Sequence, residues 1–486
     1  MTTFHSSQKL LLACAGVIAI AAFLSPQLRA QEVIFTTSGF SGTATGANSL
    51  AGGAGSNASG ANSTAIGNAA VASGANSTVT GQGSIASGLN SSVFGQFAFA
   101  KGANTTTVGF SAGTNAATNG VLSVGTFVNG LTAGLFSTAM GDGTGFGTAA
   151  NSTGDYSVAI GGGDGTVFAS ATMNGAKSSG AFSTSVGSGS VASGASSSAY
   201  GVGAKATGTN ATALGVIASA TGTNSTAVGT FAQAVGANSV AMGADFFGGT
   251  PAIANGDRSV AIGFNAVTSV AGTNSVALGD GTRASAANTV AIGNGAAATG
   301  ADAIALGNGS AASGLNATAI GNGAAANFAN STALGNGAAV TRANQMVFGT
   351  AGNTYTAPGI TSAASLAAQT GTLSFVTTDP AGNLAAGPTV NSLFGSINVL
   401  SNRIHDVRQE ERGGIGLAMA TGQIRYDDTP GKISVGVGGG AFEDEGGFAG
   451  GIGFTSPNGR FRGNISAGGT TNGDFGGGAG LSITLN

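Results

Sequence analysis

Beyond residue 30 the chain has one histidine, His405, and no cysteine, so the usual partners of a nucleophile–base pair or a soft metal site are almost missing. His405 stands beside an apolar heptad position and reads as a coiled-coil surface residue. Gly141-Asp142-Gly143-Thr144-Gly145 and Gly161-Gly162-Gly163-Asp164-Gly165 faintly match the Gly-Asp pattern of calcium-binding repeats, but each stands as a single copy. Phosphate-loop matches arise by chance in a chain with 90 glycines among 486 residues. The expectation is a protein that is not an enzyme, with no catalytic or metal-binding residues and no cofactor. Aromatic residues are better placed for ligand contact. Phe97 and Phe99 fall on the outward parity of a second strand, with Lys101 following, and Phe246-Phe247 forms a similar pair in an insertion. The alternative for these rings is packing against the next coil or a loop.

Composition limits what can position such residues. The chain has only 7 prolines, 7% charged residues and 42% apolar residues, with a net charge of −3. Collagen is excluded because Gly does not recur at every third residue. Charge-driven disorder conflicts with the apolar fraction. A single compact core lacks large side chains to fill it. What remains is an elongated repeat structure with a thin core of small residues.

Residues 1–30 read as a signal peptide: Lys9, an apolar run from Leu10 to Leu24, Pro26 and the junction Leu28-Arg29-Ala30. A run of about 15 residues is short for a membrane helix. A rival reading takes Leu11-Leu12-Ala13-Cys14 as a lipoprotein signal, but the apolar run continues past Cys14. Cleavage after Ala30 removes the sole cysteine together with Lys9 and Arg29, so the mature chain forms no disulfide. The few remaining basic residues are too sparse for a nucleic-acid-binding surface, so no nucleic acid is expected as a partner.

Glycines set a fourteen-residue ruler. Gly67, Gly81, Gly95 and Gly109 interleave with Gly60, Gly74, Gly88 and Gly102, and the register returns from Gly187 to Gly243 and from Gly279 to Gly349. In a unit such as Asn62–Gly74 each half alternates with period two and closes on Gly or Asn, giving two short strands and two tight turns. One unit is then one coil of a solenoid. Ser63, Ala65, Ala70 and Ala72 are small enough for its interior. Asn62-Ser63-Thr64 matches a glycosylation sequon, but Asn recurs with the structural period, which favours a hydrogen-bonded turn ladder. With strands about 4.8 Å apart, roughly nineteen coils give a rod on the order of 90 Å long. Insertions near 110–136, 142–182 and 244–257 are expected to bulge from it as loops.

The position before the marker glycine is large and apolar: Ile66, Phe94, Leu214, Val228, Ile262, Leu278, Ile292, Leu306, Ile320 and Leu334, with Thr80 an exception. If Ala fills the coil, this ladder faces outward. Such a stripe needs covering, and several chains burying identical ladders on a common axis would cover it.

The C-terminal region differs. Val390, Leu393, Ile397, Leu400, Ile404 and Val407 are spaced as an a/d seam, which predicts a short coiled coil. Four strands are predicted at Lys432–Phe442, Gly447–Thr455, Arg460–Gly468 and Phe475–Leu485, each about as long as a tilted outer-membrane strand. Four strands cannot close a barrel, and an open edge cannot face lipid. Three chains would supply twelve.

Asn274-Ser275-Val276-Ala277-Leu278-Gly279 and its copies resemble the head repeat of the YadA-like trimeric autotransporter adhesins of Gram-negative outer membranes. Arg412-Gly413-Gly414-Ile415-Gly416-Leu417-Ala418-Met419-Ala420, followed by Pro430-Gly431-Lys432-Ile433-Ser434-Val435-Gly436-Val437-Gly438, resembles that family's anchor. The resemblance implies an all-β fold: a trimeric left-handed parallel β-roll head, a twelve-stranded shared outer-membrane barrel and a helix threading its pore. It also implies self-secretion through that barrel, adhesion to host or abiotic surfaces, and partners consisting of two further copies, an unidentified matrix ligand, outer-membrane lipid and the barrel-assembly machinery. The expected organisation is signal peptide 1–30, head 31–349, connector 350–389, stalk 390–412 and anchor 413–486. Three features depart from the family pattern: Thr350–Thr389 lacks the usual neck sequence, the stalk is very short, which would hold the head near the membrane, and the chain ends Thr484-Leu485-Asn486 rather than on an aromatic residue. Two other readings compete, a structural autoagglutination protein and a phage tail-fibre-like receptor-binding protein.

Overall fold

The computed structural model describes residues 9–12, 18–21, 33–35, 42–113, 117–128, 133–144, 148–168, 171–172, 174–244 and 250–485. Contacts divide the chain into two units, Met1–Thr354 and Tyr355–Asn486.

The first unit is a parallel β-solenoid. Among the described residues its larger sheet has 23 strands, of which three precede Leu50 and the other 20 are the first strands of successive repeats, from Leu50–Gly52 to Met346–Phe348. Neighbouring coils pair in register, as in Thr226↔Val240, Ala227↔Ala241 and Val228↔Met242. The second strands are only two residues long. They form a five-stranded sheet from Thr43–Ala44 to Phe99–Ala100 and a twelve-stranded one from Asn151–Ser152 to Ala325–Ala326. Most coils are thus the expected strand–turn–strand–turn; among the described residues no second strand follows Thr106–Val108, Leu122–Val124 or Thr332–Leu334.

The expected interior is also present. Ser63, Ala65, Ala70 and Ala72 are fully buried, and the same columns continue through Ala211, Ala213, Ala218 and Ala220. A single buried methyl contributes on the order of 1 kcal/mol, so stability has to accumulate coil upon coil. Some inward serines bond locally, as Ser183 and Ser331 donate to the carbonyls of Gly180 and Phe328, both at 2.6 Å, whereas the buried hydroxyls of Ser63, Ser77 and Ser197 have no partner among the described residues.

Asparagine holds the first turn. Asn210, Asn224 and Asn238 have φ near +55°, which Asn tolerates better than most residues. Their side-chain amides form a ladder, Asn210 Nδ2 donating to Asn224 Oδ1 and Asn224 Nδ2 to Asn238 Oδ1, each at 3.0 Å. The marker glycine has a different cause. Gly215 has φ +139°, and a Cβ there would lie 2.5 Å from the Gly229 carbonyl oxygen of the next coil.

Two expectations need correction. The insertions are not plain loops, because Leu122–Val124 lies in the first, Asn151–Ser152, Val158–Ile160 and Lys177–Ser178 in the second, and Ile253–Ala254 in the third. These strands keep their inward small residues, Ser123, Ser152, Ala159, Ser178 and Ala254, so the solenoid continues, and within the second insertion Val167–Phe168 and Ala171–Thr172 form a small antiparallel pair of their own. Phe97 is not on a strand: it is a turn residue with φ +56°, and the strand beside it is only Phe99–Ala100.

In the second unit a hairpin, Ser374–Thr378 with Leu384–Thr389, precedes a 33-residue helix, Val390–Gly422. The Thr389 side chain caps it by accepting from Ser392 N at 3.1 Å. The helix runs unbroken through Gly413-Gly414, so the heptad seam and the residues after it form one element. Four antiparallel strands follow in sequence order: Ile433–Phe442, Glu445–Thr455, Phe461–Thr470 and Phe475–Ile483. They lie within two residues of their expected bounds. Among the described residues no helix is long and apolar enough to cross a membrane.

Candidate functional site

Three surfaces carry the features that composition alone could not place. The first is the outward column of the larger head sheet. In-register pairing puts Leu278, Ile292, Leu306, Ile320 and Leu334 on consecutive coils, about 4.8 Å apart. Ile66, Phe94, Leu214, Leu278, Leu306 and Leu334 are exposed in the single chain, Ile66 to 42%, while Val228, Ile262, Ile292 and Ile320 are half-buried by their neighbours.

The second surface is aromatic and lies on the turns. Phe97 meets Phe110 edge-on at 6.0 Å, and Phe110 meets Phe127 at 5.5 Å. Phe99 sits apart from them on the short sheet, in register with Ile85, with Lys101 Nζ 6.0 Å from its ring centre. The proposed pair is therefore divided between a turn and a sheet face. Phe246 and Phe247 lie outside the described residues. Sequence reasoning missed a further group, Phe136, Tyr156 and Phe182, whose rings stack at 5.3 and 5.1 Å. All three adopt the left-handed turn conformation that Asn takes elsewhere, and Phe182 is 63% exposed. The signal was present: each follows the interleaved glycine of its coil by two residues, where Asn62 follows Gly60, in Gly134-Leu135-Phe136, Gly154-Asp155-Tyr156 and Gly180-Ala181-Phe182. Positive φ is an outlier for bulky side chains, and ring stacking offsets it here. This group falls in the coils where, among the described residues, the second sheet is interrupted or only just resumed.

The two Gly-Asp runs lie on adjacent coils, joined by a parallel bridge between Gly143 and Gly163. Their carboxylates serve the turns. Asp142 accepts from Thr126 N at 2.7 Å, and Asp164 accepts from the Thr166 hydroxyl and backbone N–H, which hold its carboxyl below the usual range. Among the described residues no three His, Cys, Asp or Glu side chains gather where they could hold a metal ion.

The third surface is the C-terminal sheet, whose two faces differ. One packs on the helix and is lined by glycine. A Cβ on Gly438 would lie 2.1 Å from the Ala420 carbonyl oxygen, and one on Gly440 would lie 2.7 Å from Ala420 N. Gly413, Gly416 and Ala420 are the helix residues buried in this contact. Beyond the helix, Tyr426 lies over Gly451 and Gly453. The other face is a band of exposed apolar side chains that includes Val435, Val437, Phe448, Ile465 and Leu481, with Val437 82% exposed. Strands Ile433–Phe442 and Phe475–Ile483 each have one unpaired edge among the described residues. On the helix, the seam residues Leu393, Ile397, Leu400, Ile404 and Val407 are all exposed.

One family model matches within each unit. The YadA head domain repeat matches at residues 44–70, 58–84, 86–112, 141–163, 192–216, 220–245, 249–266, 271–296, 284–310, 298–324 and 312–338. The YadA-like membrane anchor domain matches residues 425–485. The autotransporter adhesin BtaE of Brucella suis biovar 1 (strain 1330) is 43% identical over 95 residues, 19% of this chain and 12% of that protein. BtaF of the same organism is 39% identical over 107 residues, 21% of this chain and 34% of that protein. The chain thus spans about a third or less of the length of these relatives. The crystal structure of the collagen-binding domain of the Yersinia adhesin YadA aligns at 22% identity over 50% of this chain and 98% of that one, with a TM-score of 0.21. Carrying repeated head units and a membrane anchor of one family on a single chain, this protein belongs to the YadA-like trimeric autotransporter adhesins.

Proposed function

We propose that the chain works as a homotrimeric surface adhesin, anchored in the outer membrane and exported through its own anchor, with no enzymatic role. The observation that carries this reading is the anchor sheet, with glycine toward the helix, apolar side chains outward and two unpaired edges. Unpaired edges are untenable in lipid, and joining the last strand of one copy to the first of the next closes twelve strands from three chains. The apolar head column asks for the same partners. Three identical chains around an axis would bury Leu278, Ile292, Leu306 and their neighbours, and the exposed helix seam would add a coiled coil.

The ligand-contact surface in this reading is the aromatic group Phe97, Phe110 and Phe127, with Phe99 and Lys101 as a separate contact on the short sheet and Phe246-Phe247 as a further candidate pair. The expected ligand is a host-matrix or abiotic surface. Three copies per molecule let weak contacts hold through avidity. The test is to display the protein on cells and measure attachment to collagen-coated, other matrix-coated and bare surfaces, alongside cell–cell clumping. The combined substitution Phe97→Ala, Phe110→Ala and Phe127→Ala should lower attachment by about tenfold or more, because avidity amplifies a small loss per site. Surface display should stay unchanged. Attachment equal to wild type at equal display rejects the patch, and clumping without surface attachment favours autoagglutination.

A further inference from the structure

The helix Val390–Gly422 touches the anchor sheet only near its end. Residues 391–408 are exposed, and the first buried residue is Gly413. Arg412 therefore sits at the mouth of the glycine-lined contact. Its guanidinium reaches two carboxylates of the first hairpin turn, Nη2 to Glu443 Oε2 at 2.6 Å and Nη1 to Asp444 Oδ1 at 2.8 Å. The Asp444 carboxyl is held below its usual range by its own backbone N–H and then by Arg412.

The turn that Arg412 grips is itself braced. Thr471, in the other turn at the same end of the sheet, donates from Oγ1 to Glu445 Oε2 at 2.6 Å and from its backbone N–H to the Gly446 carbonyl at 2.8 Å. Gly446 N–H donates back to Thr471 Oγ1 at 2.9 Å. The next helix residue, Gly413, passes so close to Asn472 that a Cβ would meet its Oδ1 at 2.7 Å. Both turns thus form a collar around one level of the helix. A slip of one residue would shift the helix by about 1.5 Å and rotate it by about 100°, taking the guanidinium off both carboxylates. The face against the helix is lined by glycine and Ala449, which offer little side-chain relief to oppose that slip.

We propose that Arg412 is a positioning residue of the anchor, a latch that fixes the axial register of the helix against the first hairpin once the upstream chain has passed outward. It acts on retention of the finished assembly and not on export. The proposal rests on the trimeric anchor reading above, in which three such latches act together. Both carboxylates are partly solvated, so each latch is individually weak and sensitive to salt.

The test uses the full-length protein in outer membranes. Arg412→Ala, Arg412→Lys, Arg412→Glu and the reversed triple Arg412→Glu with Glu443→Arg and Asp444→Arg are compared for surface display and for trimer half-life in non-ionic detergent. Display should stay within about twofold of wild type, since an exposed pair contributes little to folding. The Arg412→Ala trimer should dissociate about tenfold faster or more, as three weak contacts are lost together, and Arg412→Glu faster still. Arg412→Lys should fall between, because it keeps the charge and loses the fork. The reversed triple should recover most of the half-life. About 1 M salt should shorten the wild-type half-life and leave that of Arg412→Ala nearly unchanged. A wild-type trimer unaffected by Arg412→Ala, a reversed triple no better than Arg412→Glu, or lost display in Arg412→Ala overturns the latch alone. A wild-type chain with no trimer overturns the trimeric reading and the latch with it.

Discussion

Valine at Gly438 should abolish the anchored assembly, whereas valine at the neighbouring Gly439 should leave it intact. The two glycines occupy opposite faces of one strand. At Gly438 a Cβ would stand 2.1 Å from the Ala420 carbonyl oxygen and 3.2 Å from Ile424 Cγ1, and the nearer obstacle is helix backbone that no rotamer change can move. At Gly439 the nearest atom is the Gly447 carbonyl oxygen at 4.0 Å, an ordinary contact. Forcing extra methyl groups into a packed contact costs about 1–3 kcal/mol even where neighbours can adjust, and three copies would carry that cost together. Gly438→Val should therefore lower membrane-inserted protein by about tenfold or more relative to Gly439→Val. Immunoblots of washed outer membranes measure both. Equal amounts of the two variants would show that the helix does not occupy the glycine-lined face in the membrane.

A second large effect is expected in the head. Leu278, Ile292 and Leu306 are consecutive members of the outward column, paired in register through Leu278↔Ile292 and Ile292↔Leu306. Changing all three to Asp leaves the alanine interior of each coil untouched, so a single chain loses little. In a trimer the same changes remove apolar burial of roughly 1.5–3 kcal/mol per side chain and crowd carboxylates around one axis. Arg283, Ala297 and Ala311 lie on the short sheet of the corresponding coils and serve as the control positions. On cells treated with proteinase K, the ladder triple should lose its head about tenfold faster than the control triple changed to Asp, as unpaired coils open more often. Matching rates would place the shared axis on another face.

Much of this fold can be read from the sequence because its determinants are local. The glycine ruler, the period-two alternation and Asn at positive φ each act within one coil, so Asn210–Gly222 states its own geometry. The small inward residues follow from coil width, and Ala213, Ala218 and Ala220 are fully buried as that argument requires. What escaped the sequence reading depends on distance or on strands too short to show a pattern. Phe97 reads as a strand residue because the true strand, Phe99–Ala100, is only two residues long. Phe136, Tyr156 and Phe182 were hidden because aromatic residues are poor occupants of a left-handed turn, and their stacking crosses three coils of unequal length. The Arg412 collar joins residues 32 apart in sequence, and no local periodicity marks it. The glycines at 436, 438 and 440 were visible as a pattern, but their helix neighbours Ile424, Ala420 and Met419 come only from the tertiary structure.

The anchor edges, the head column and the helix seam all lead to one claim, that three copies make one molecule. The mass of the full-length protein extracted from outer membranes in mild detergent and left unheated tests it most directly. A trimer runs as a species of three chain masses that falls to one on heating; a single chain mass before heating rules it out.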